Sequence, residues 1–414
     1  MKKYDILIVN QPLNNRGDES AHKALVRSLV KSIPNVRIKV FFIGQRQDTI
    51  NQYDVNRPEV SYVNVRPLKG WWSTIKWGMK SNKMFLAQIH PTVRKIIGLY
   101  KRANVVLCAP GGICMGGFQN WGHVLMLSIA KFLNKPIAYY GRSIGPFPTL
   151  TQQNRLFKET SLDLLHYFSF LSLRDRKSID LAESLGVKYE PTVDSAFLET
   201  PRVDVPQDVK ELIGMLPYVV FVPNLLIWHY AYRNKAGLDD VLKFYRKILD
   251  LVVAKYPEHN IVMLPQTFDY GTYDGDDINF FQDLKRYVQR ENVIIVPDTY
   301  SSDIQQTIIS DASCMIGARY HSVVFAINQA VPFVALSYEH KISGLLEVLH
   351  KTESMVDITT IFDSDDSMNC ALEKFSLALN CACEDVCAQK LSKEIAQGCF
   401  DKFLVFESTC SCCG

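Results

Sequence analysis

No apolar run in the sequence approaches the ~18 to 20 residues that a membrane-spanning helix requires. The first residues lead into a short strand-like run at 6–9 and not into the longer apolar core of a signal peptide. An excess of either charge is also missing, since 46 Lys and Arg face 43 Asp and Glu, which argues against a dedicated nucleic-acid surface. We therefore expect a cytoplasmic protein without a nucleic-acid partner, and we leave open a contact with the inner face of the plasma membrane.

Cysteine is rare outside the end of the chain, where eight of the 11 cysteines follow residue 369. Because no export signal is visible, we interpret them as thiols and not as disulfides. The last group, Cys410, Cys412 and Cys413, lacks the paired and separated ligands of a zinc site, so we expect no metal. The Cys-rich end of the chain is predicted to be helical, with a return to brace the first domain as one option.

What the sequence does have is an alternation of short β-branched runs with amphipathic stretches, which indicates βα units and a parallel sheet. The predicted strands are 5–10, 37–43, 105–109, 137–140, 168–173, 218–223, 260–264, 293–296, 314–316 and 333–336. A polar stretch punctuated by prolines at 199–206 reads as a linker. We predict an α/β fold of two Rossmann-like domains, 1–200 and 201–414, facing a cleft at the carboxyl ends of both sheets.

Two glycine-containing turns follow predicted strands of the first domain. Near the N-terminus, Asn15, Asp18 and Glu19 surround a glycine where a helix opens. Helix capping explains the glycine and Asp18, but it explains Asn15 and Glu19 less well. Later in the domain, a loop with four glycines includes Gly111 and Gly112, whose backbone N–H groups can approach an anion. Both turns are candidate binding sites, and neither is specific on its own.

Cationic side chains also follow predicted strands, where they can point toward a ligand. Arg142 and Arg174 are two of them, and an exposed surface arginine is the alternative for each. Arg319 and His321 follow strand 314–316, and alternation along an extended backbone would place them on one side. There a guanidinium can hold phosphate or carboxylate while an imidazole moves protons. Lys341 is a further cation near this edge, with a solvated helix start as its alternative.

In their order along the chain, these motifs resemble the polysaccharide pyruvyl transferase family. The likeness runs from about residue 5 to residue 350 and consists of Asn-x-Gly-Asp-Glu, the glycine loop, Ser-Ile-Gly-Pro-Phe, Arg-Asp-x-x-Ser, Val193-Asp194, Gly-x-Arg-x-His and Tyr-x-x-Lys. Ser195 departs from the proline expected after the aspartate. The region 45–101 and the Cys-rich tail match nothing in this pattern.

The resemblance implies a fold similar to the GT-B glycosyltransferases, with the acceptor on the first domain and the donor on the second. It implies transfer of pyruvate from phosphoenolpyruvate to two hydroxyls of a sugar as a cyclic ketal, in capsule or exopolysaccharide biosynthesis. A 4,6-ketal of galactose on a lipid-linked acceptor is the expected form. No cofactor or metal is expected, because arginines can neutralise the leaving phosphate. The oligomeric state is not readable from the sequence.

The resemblance also gives roles to individual residues. His321 and Arg319 would be catalytic, with His321 as the general acid or as the group that assists phosphate departure. The residues expected to bind the donor are Arg174, Arg142, Lys341, Gly111 and Gly112. The residues expected to bind the acceptor are Asn15, Asp18 and Glu19.

The segment 69–85 is rich in tryptophan and lysine and matches no family motif. As one helix it would carry two stripes, with Lys76, Lys80 and Lys83 on one and Trp72, Ile75 and Met79 on the other. This arrangement suits a membrane interface near a lipid-linked acceptor. The alternative is a lid, or a helix whose tryptophans stack on sugar or on the core.

Two other functions fit the same residues. A nucleotide-sugar-dependent glycosyltransferase of GT-B architecture would use the same cations for a diphosphate. A membrane-peripheral assembly component with the fold but without the activity is the third possibility. The donor requirement separates the first two, and the effect of His321→Ala separates catalysis from assembly.

Overall fold

A computed structural model describes residues 4–273 and 275–412 of the chain, with side chains up to Ser408. The chain divides into two compact units. Unit 1 comprises the chain up to Leu13, Ala21–Leu198 and the chain from Glu394, whereas unit 2 comprises Asn14–Ser20 and Glu199–Lys393. The change of unit after Leu198 lies next to the predicted boundary at 200. The segment Asn14–Ser20 differs from the prediction, which placed it in the first domain.

Unit 1 is built from alternating strands and helices. Its strands are β1 (Tyr4–Val9), β2 (Val36–Ile43), β3 (Val60–Val65), β4 (Val105–Cys108), β5 (Gly111–Met115), β6 (Ile137–Ile144), β7 (Phe170–Leu173) and β8 (Glu190–Pro191). Its helices are α1 (Arg16–Ser32), whose first residues belong to unit 2, α2 (Gln47–Asn51), α3 (Trp71–Lys80), α4 (Met84–Ala87), α5 (Pro91–Arg102), α6 (Trp121–Phe132), α7 (Gln152–Leu165) and α8 (Arg176–Ser184).

The strands of unit 1 form a parallel sheet in the order β3-β2-β1-β4-β6-β7-β8, and β5 pairs with β6. The sheet has a hydrophobic core on each face. On β1, Leu7 and Val9 pack into one core, while Ile6 and Ile8 pack into the other. This alternation is the geometry of a strand that is buried on both sides, as expected for a doubly wound sheet.

Unit 2 repeats the architecture with six strands. Its strands are β9 (Tyr218–Val222), β10 (Asn260–Met263), β11 (Val293–Ile295), β12 (Cys314–Gly317), β13 (Phe333–Ser337) and β14 (Met355–Asp357). Its helices are α9 (Gln207–Ile213), α10 (Leu238–Lys255), α11 (Asp277–Val288), α12 (Ser302–Ser310), α13 (Tyr320–Asn328), α14 (His340–Val348), α15 (Asp365–Cys381) and the start of α16 (Val386–Cys412).

The sheet of unit 2 has the order β11-β10-β9-β12-β13-β14, with every pair parallel. Successive strands add on one side from β9 to β11, and then on the other side from β12 to β14. The order therefore reverses between β9 and β12. In doubly wound sheets, the loops that follow the two strands at such a reversal form a crevice where ligands bind.

The segment 69–85 is not the single helix that the sequence suggested. Helix α3 ends at Lys80, and α4 begins at Met84. Ile75 is fully buried in the core of unit 1, and Trp72 and Met79 pack against that core. Of the apolar stripe predicted to face a membrane, Ile75 therefore faces the interior of unit 1, whereas Trp72 and Met79 are half-buried against it. Within residues 4–273 and 275–412, no helix has both the length and the apolar character needed to cross a bilayer.

The last helix, α16, contributes its later residues to unit 1. Cys399, Phe400 and Phe403 lie in one of the two cores of that unit, and the Phe403 ring packs edge-on against Tyr140 at 5.8 Å. Cys399 is a free, buried thiol. The side chains of Cys410 and Cys412, and the whole of Cys413, lie outside the described residues.

Candidate functional site

Residues with polar side chains follow four neighbouring strands of unit 2, namely β10, β9, β12 and β13. Thr267 follows β10, Asn224 follows β9, Arg319 follows β12 and Tyr338 follows β13. The carboxyl ends of parallel strands share one edge of a sheet, so these side chains meet around the reversal in strand order. This edge is the candidate functional site.

The turn from β12 into α13 is shaped by Gly317. A Cβ at this position would lie 2.1 Å from Oγ of Ser322, so any other residue would displace the serine. The Ser322 hydroxyl donates a hydrogen bond of 2.6 Å to the carbonyl oxygen of Arg319. This bond fixes Arg319 as the residue that caps α13, with extended backbone angles. The Gly-x-Arg-x-His-Ser sequence is thus a compact strand-to-helix turn.

The guanidinium of Arg319 is held by two partners from the region after β10. Its Nη2 forms an ion pair with Asp277 and donates to Oγ1 of Thr267 at 3.1 Å. Asp277 is itself fixed, because its Oδ2 accepts the backbone N–H groups of Gln266 at 2.9 Å and Thr267 at 3.0 Å. Nε of Arg319 is buried and has no hydrogen-bond partner within the described part of the chain. The guanidinium is therefore oriented on one side and has a donor left for an anion.

The charge of Arg319 is secured by its surroundings. Burial lowers its pKa, but Asp277 and the hydroxyls of Tyr338 and Tyr245 outweigh this effect and raise it. A half-buried cation of this kind costs desolvation energy unless anionic or polar partners compensate it. Asp277 supplies that compensation, and the sequence pattern did not identify it as a residue of the site. The sequence gives little indication of this role, because an aspartate at the start of a helix is normally interpreted as a cap. Asp277 also lies far from Arg319 in the sequence.

His321 lies in the first turn of α13, where it packs against the backbone of Gly17. A Cβ on Gly17 would lie 1.8 Å from Cγ of the imidazole, so only glycine fits. The prediction that Arg319 and His321 share one side of an extended strand was wrong, because the helix already begins at Tyr320. They are linked differently: Arg319 bonds Thr267, and Thr267 forms a β-bridge with Asn15, two residues before Gly17.

The N-terminal motif completes this part of unit 2. The Oδ1 of Asn15 accepts the N–H groups of Gly17 at 2.8 Å and Asp18 at 3.3 Å, so Asn15 caps α1. Glu19 is fully buried, where it pairs with Arg16 at 2.7 Å and accepts the backbone N–H of Ser302 at 3.1 Å. The expected contact of Glu19 with acceptor hydroxyls stays a prediction that this position does not support, because its carboxylate is enclosed by protein partners. Asp18 is half-buried, and its predicted contact with an acceptor stays a prediction.

A second polar layer adjoins Arg319 through Tyr338. Asn224 donates to the Tyr338 hydroxyl at 2.8 Å and accepts from the indole of Trp228 at 3.0 Å. The buried ring of His229 lies 5.2 Å from the Tyr338 ring. Burial lowers the pKa of His229, which Glu339 raises and Lys341 lowers further. Lys341 is half-buried and pairs with Glu339 at 3.3 Å, so it is a cation near this layer.

Arg142 has partners of a different kind, in unit 1. Its buried guanidinium donates to the carbonyl oxygens of Ala109 at 2.6 Å and Gly112 at 3.1 Å, and it contacts Sγ of Cys114 at 3.2 Å. A Cβ on Gly111 would lie 3.3 Å from the guanidinium nitrogens. The predicted glycine loop is in part strand β5, which is built around this arginine. Donor binding by Arg142, Gly111 and Gly112 stays a prediction that their positions do not support.

Arg174 is also enclosed within unit 1. Its guanidinium forms an ion pair with Asp194, and both side chains are buried. Ser195, which departs from the family pattern, donates to the carbonyl oxygen of Ala21 at 3.0 Å. The structure gives Arg174 a structural partner, and its predicted contact with the donor stays a prediction.

The site in unit 2 offers oriented cations, an imidazole and a neutral polar layer. This combination suits a small anionic substrate and a proton transfer. Among the residues that the structure describes, no three His, Cys, Asp or Glu side chains are arranged to hold a metal ion.

The sequence matches the polysaccharide pyruvyl transferase family over residues 15–340. The amylovoran biosynthesis protein AmsJ of Erwinia amylovora is 22% identical over 385 residues, which cover 86% of this chain and 89% of that protein.

Solved structures show the similarity of fold. The UDP-GlcNAc 2-epimerase of Neisseria meningitidis, bound to UDP-GlcNAc, superposes with a TM-score of 0.53 at 10% identity, over 97% of this chain and 100% of that one. TcCGT1 in complex with UDP gives a TM-score of 0.57 at 9% identity, over 99% of both chains. At such identities the likeness shows the fold alone, which is GT-B-like, as predicted.

Proposed function

The chain belongs to the polysaccharide pyruvyl transferase family, and on this premise we propose that it transfers pyruvate from phosphoenolpyruvate to a saccharide as a cyclic ketal. A galactose 4,6-ketal on a lipid-linked acceptor is the specific form of the proposal. The observation that carries it is the oriented Arg319 guanidinium, with a buried Nε that has no hydrogen-bond partner within the described residues, in the same turn as His321. Phosphoenolpyruvate presents a phosphate and a carboxylate, which are the groups that a guanidinium binds best.

The proposed reaction balances without a redox partner or a metal. The methylene carbon of the donor gains a proton, and one hydroxyl of the sugar adds to the central carbon. The bond from that carbon to the bridging oxygen breaks, phosphate leaves, and the second hydroxyl closes the ring. Of the two hydroxyl protons, one ends on the new methyl group and the other on phosphate.

In this scheme, residues of unit 2 stabilise charge and move one proton. Arg319 holds the donor's anionic groups, and its pairing with Asp277 and Thr267 keeps it oriented before the substrate arrives, which is how preorganised charges lower a barrier. Lys341 adds a second positive charge. His321 donates the proton to the methylene carbon, because an imidazole is both a proton donor and an acceptor.

The test is a donor-and-acceptor screen with product analysis. Phosphoenolpyruvate is incubated with a panel of p-nitrophenyl and lipid-linked sugars, and mass spectrometry and phosphate release are followed. We expect phosphate release to depend on the sugar and to match the formation of an acidic saccharide. His321→Asn should lower turnover at least ~100-fold, the lower end for the loss of a general acid.

The matched control is His350→Asn. His350 is an exposed histidine of unit 2 with a positive φ of 55°, a backbone conformation that asparagine tolerates. Its activity should equal that of the wild type. Turnover of a nucleotide sugar without phosphoenolpyruvate, or full activity of the folded His321→Asn variant, would contradict the proposal.

A further inference from the structure

A long stretch of unit 1 contains no carboxylate at all. Residues 60–158 include 14 Lys and Arg but not one Asp or Glu, although the whole chain has 46 cations and 43 anions. The rest of the chain is consequently net acidic. Such a local excess of positive charge attracts anionic ligands.

The same stretch exposes large apolar side chains. Those at least one third exposed are Leu68, Trp77, Phe85, Leu86, Ile89, Phe118, Leu150 and Leu156. Single exposed apolar residues need no explanation, but their coincidence with an acid-free segment does. Positive charge together with apolar surface favours a ligand that is both anionic and apolar.

Helices α3 and α6 and the first half of α7 belong to this stretch, and the three helices line a groove of about 900 Å³. Its walls are mostly apolar and aromatic, and include Trp72, Met79, Trp121, Leu125 and Leu156. Lys76 and Arg155 also line it, and Glu159 is the one carboxylate among the described lining residues. The volume lies within the ~300–1,000 Å³ typical of small-molecule sites.

A second cavity adjoins the first through Trp72, which lines both. It measures about 390 Å³ and lies where β1 and β2 end. The amides of Asn10, Gln11 and Gln45 line it, together with Trp71. The Trp71 and Trp72 rings lie edge to face at 5.5 Å. Aromatic faces with amide groups suit a sugar, whose ring has both apolar C–H faces and hydroxyls.

We propose that the groove binds the hydrocarbon chain of a lipid phosphate that carries the saccharide acceptor. Lys76 and Arg155 hold the phosphate, and the sugar occupies the second cavity on the other side of Trp72. This inference rests on the proposed function, since it defines the acceptor of that reaction. The positive charges of Lys76 and Arg155 favour an anionic lipid as the ligand. An apolar peptide helix or a second copy of the chain would not need these two charges.

The test is a direct titration of full-length protein with geranylgeranyl phosphate below its micellar concentration. Geranylgeraniol, which lacks the phosphate, and inorganic phosphate, which lacks the chain, are titrated in parallel. We expect saturable binding of geranylgeranyl phosphate, with both comparison compounds at least ~10-fold weaker, because each lacks one of the two interactions. Equal binding of the alcohol, or no binding of any of the three, would overturn the proposal.

Two substitutions of exposed leucines locate the site. Leu156→Glu places a carboxylate in the groove, and Leu150→Glu places the same charge on the surface of the same segment outside it. Because both positions are exposed, both variants should fold. We expect Leu156→Glu to weaken binding at least ~10-fold and Leu150→Glu to leave it within about twofold, since only the first opposes an apolar chain. Equal effects would indicate general surface charge and contradict a groove.

A membrane surface is the competing occupant, and vesicles distinguish it. Suppose that the protein binds vesicles of anionic phospholipid but not monomeric geranylgeranyl phosphate, and that both glutamate substitutions weaken vesicle binding equally. This result would indicate adsorption to a membrane surface and would contradict the groove. The titrations contain no phosphoenolpyruvate. Binding without pyruvyl transfer would therefore contradict the proposed function alone, and pyruvylation of a p-nitrophenyl sugar without lipid binding would contradict the groove alone.

Discussion

At the scale of single residues, two glycines determine the geometry around the candidate proton donor. Gly317 makes room for the Ser322 hydroxyl that sets the turn before α13, and Gly17 makes room for the imidazole of His321. The requirement at Gly317 is local, because Ser322 belongs to the same strand-to-helix turn, whereas His321 lies far from Gly17 in sequence. Each glycine is needed because another side chain occupies the space that its own Cβ would fill.

Gly17→Ala tests this account of the N-terminal motif. Alanine is normally the better helix former, so any loss reports the clash with His321. We expect destabilisation of about 1–3 kcal/mol, as for overpacking elsewhere, together with reduced turnover. Thermal unfolding and the pyruvyl transfer assay measure the two effects.

The control for this substitution is Gly344→Ala, in α14 of the same unit, where a Cβ would meet no atom within 4 Å. It should be neutral or stabilising. In a double-mutant cycle, His321→Gly should remove most of the cost of Gly17→Ala, because the contact atoms belong to the histidine. If the cost is the same in both backgrounds, His321 is not what the glycine accommodates.

Sequence reasoning could find Arg319 and His321 because a strand-to-helix turn with both residues is a local pattern. It could not find Asp277, Thr267 or Asn224, because nothing near them in sequence shows that a distant arginine or tyrosine is their partner. The same limit explains Arg142. The sequence of a strand that ends in an arginine is the same whether the arginine binds a substrate or buried carbonyl oxygens of its own chain. The pattern therefore cannot distinguish the two cases.

At the scale of secondary-structure elements, helix α1 packs a buried histidine, His22, against the sheet of unit 1. The His22 ring hydrogen-bonds the Tyr62 hydroxyl of β3 at 3.1 Å. Burial, with Lys23 and Arg27 nearby, lowers the pKa of His22 to about 3. The native state therefore keeps His22 neutral well below the pH at which an unfolded histidine takes up a proton.

This packing predicts acid sensitivity between about pH 6.5 and pH 3. In that window the unfolded chain binds a proton at His22 that the native state does not, so stability falls as pH falls, by at most about 1.4 kcal/mol per pH unit. At pH 5, calorimetry in buffers of different ionisation enthalpy should show roughly one proton more taken up on unfolding by the wild type than by His22→Gln. His350→Gln, at an exposed position of unit 2, is the control and should leave the proton uptake on unfolding close to that of the wild type. Equal proton uptake by wild type and His22→Gln would contradict a neutral His22.

The predictable elements were those with a local signal. All ten predicted strands overlap observed strands, because short β-branched runs buried on both faces are unambiguous when helices flank them. The strands that were not predicted are β3, β5, β8 and β14. Two departures from the prediction have clear physical reasons. Strand β5 begins with two glycines, and its sequence therefore predicted a loop. In 69–85 the sequence pattern is continuous and helical, but the structure has a break at 81–83.

At the scale of the whole molecule, the two units are not contiguous in sequence. Asn14–Ser20 belongs to unit 2 although the chain on both sides of it belongs to unit 1. The backbone of this segment pairs with the stretch after β10, through Arg16 N–H to the Gln266 carbonyl at 2.8 Å and Phe268 N–H to the Asn14 carbonyl at 3.1 Å. Sequence composition alone could not show that Asn14–Ser20 belongs to unit 2, because no linker-like stretch flanks this short segment on either side.

Unit 2 is proposed to bind phosphoenolpyruvate through Arg319. Calorimetric titration of phosphoenolpyruvate into wild type and Arg319→Lys, with and without a p-nitrophenyl galactoside, tests this binding most directly. Lysine keeps the charge but loses the planar fork that Asp277 and Thr267 orient. Arg202→Lys, at an exposed ion pair of the same unit, is the control. We predict saturable binding to wild type and to Arg202→Lys, and binding roughly 10- to 100-fold weaker in Arg319→Lys, the value of one or two charge-assisted hydrogen bonds. Equal affinity of all three proteins, or a wild type that binds a nucleotide sugar and not phosphoenolpyruvate, would contradict the account.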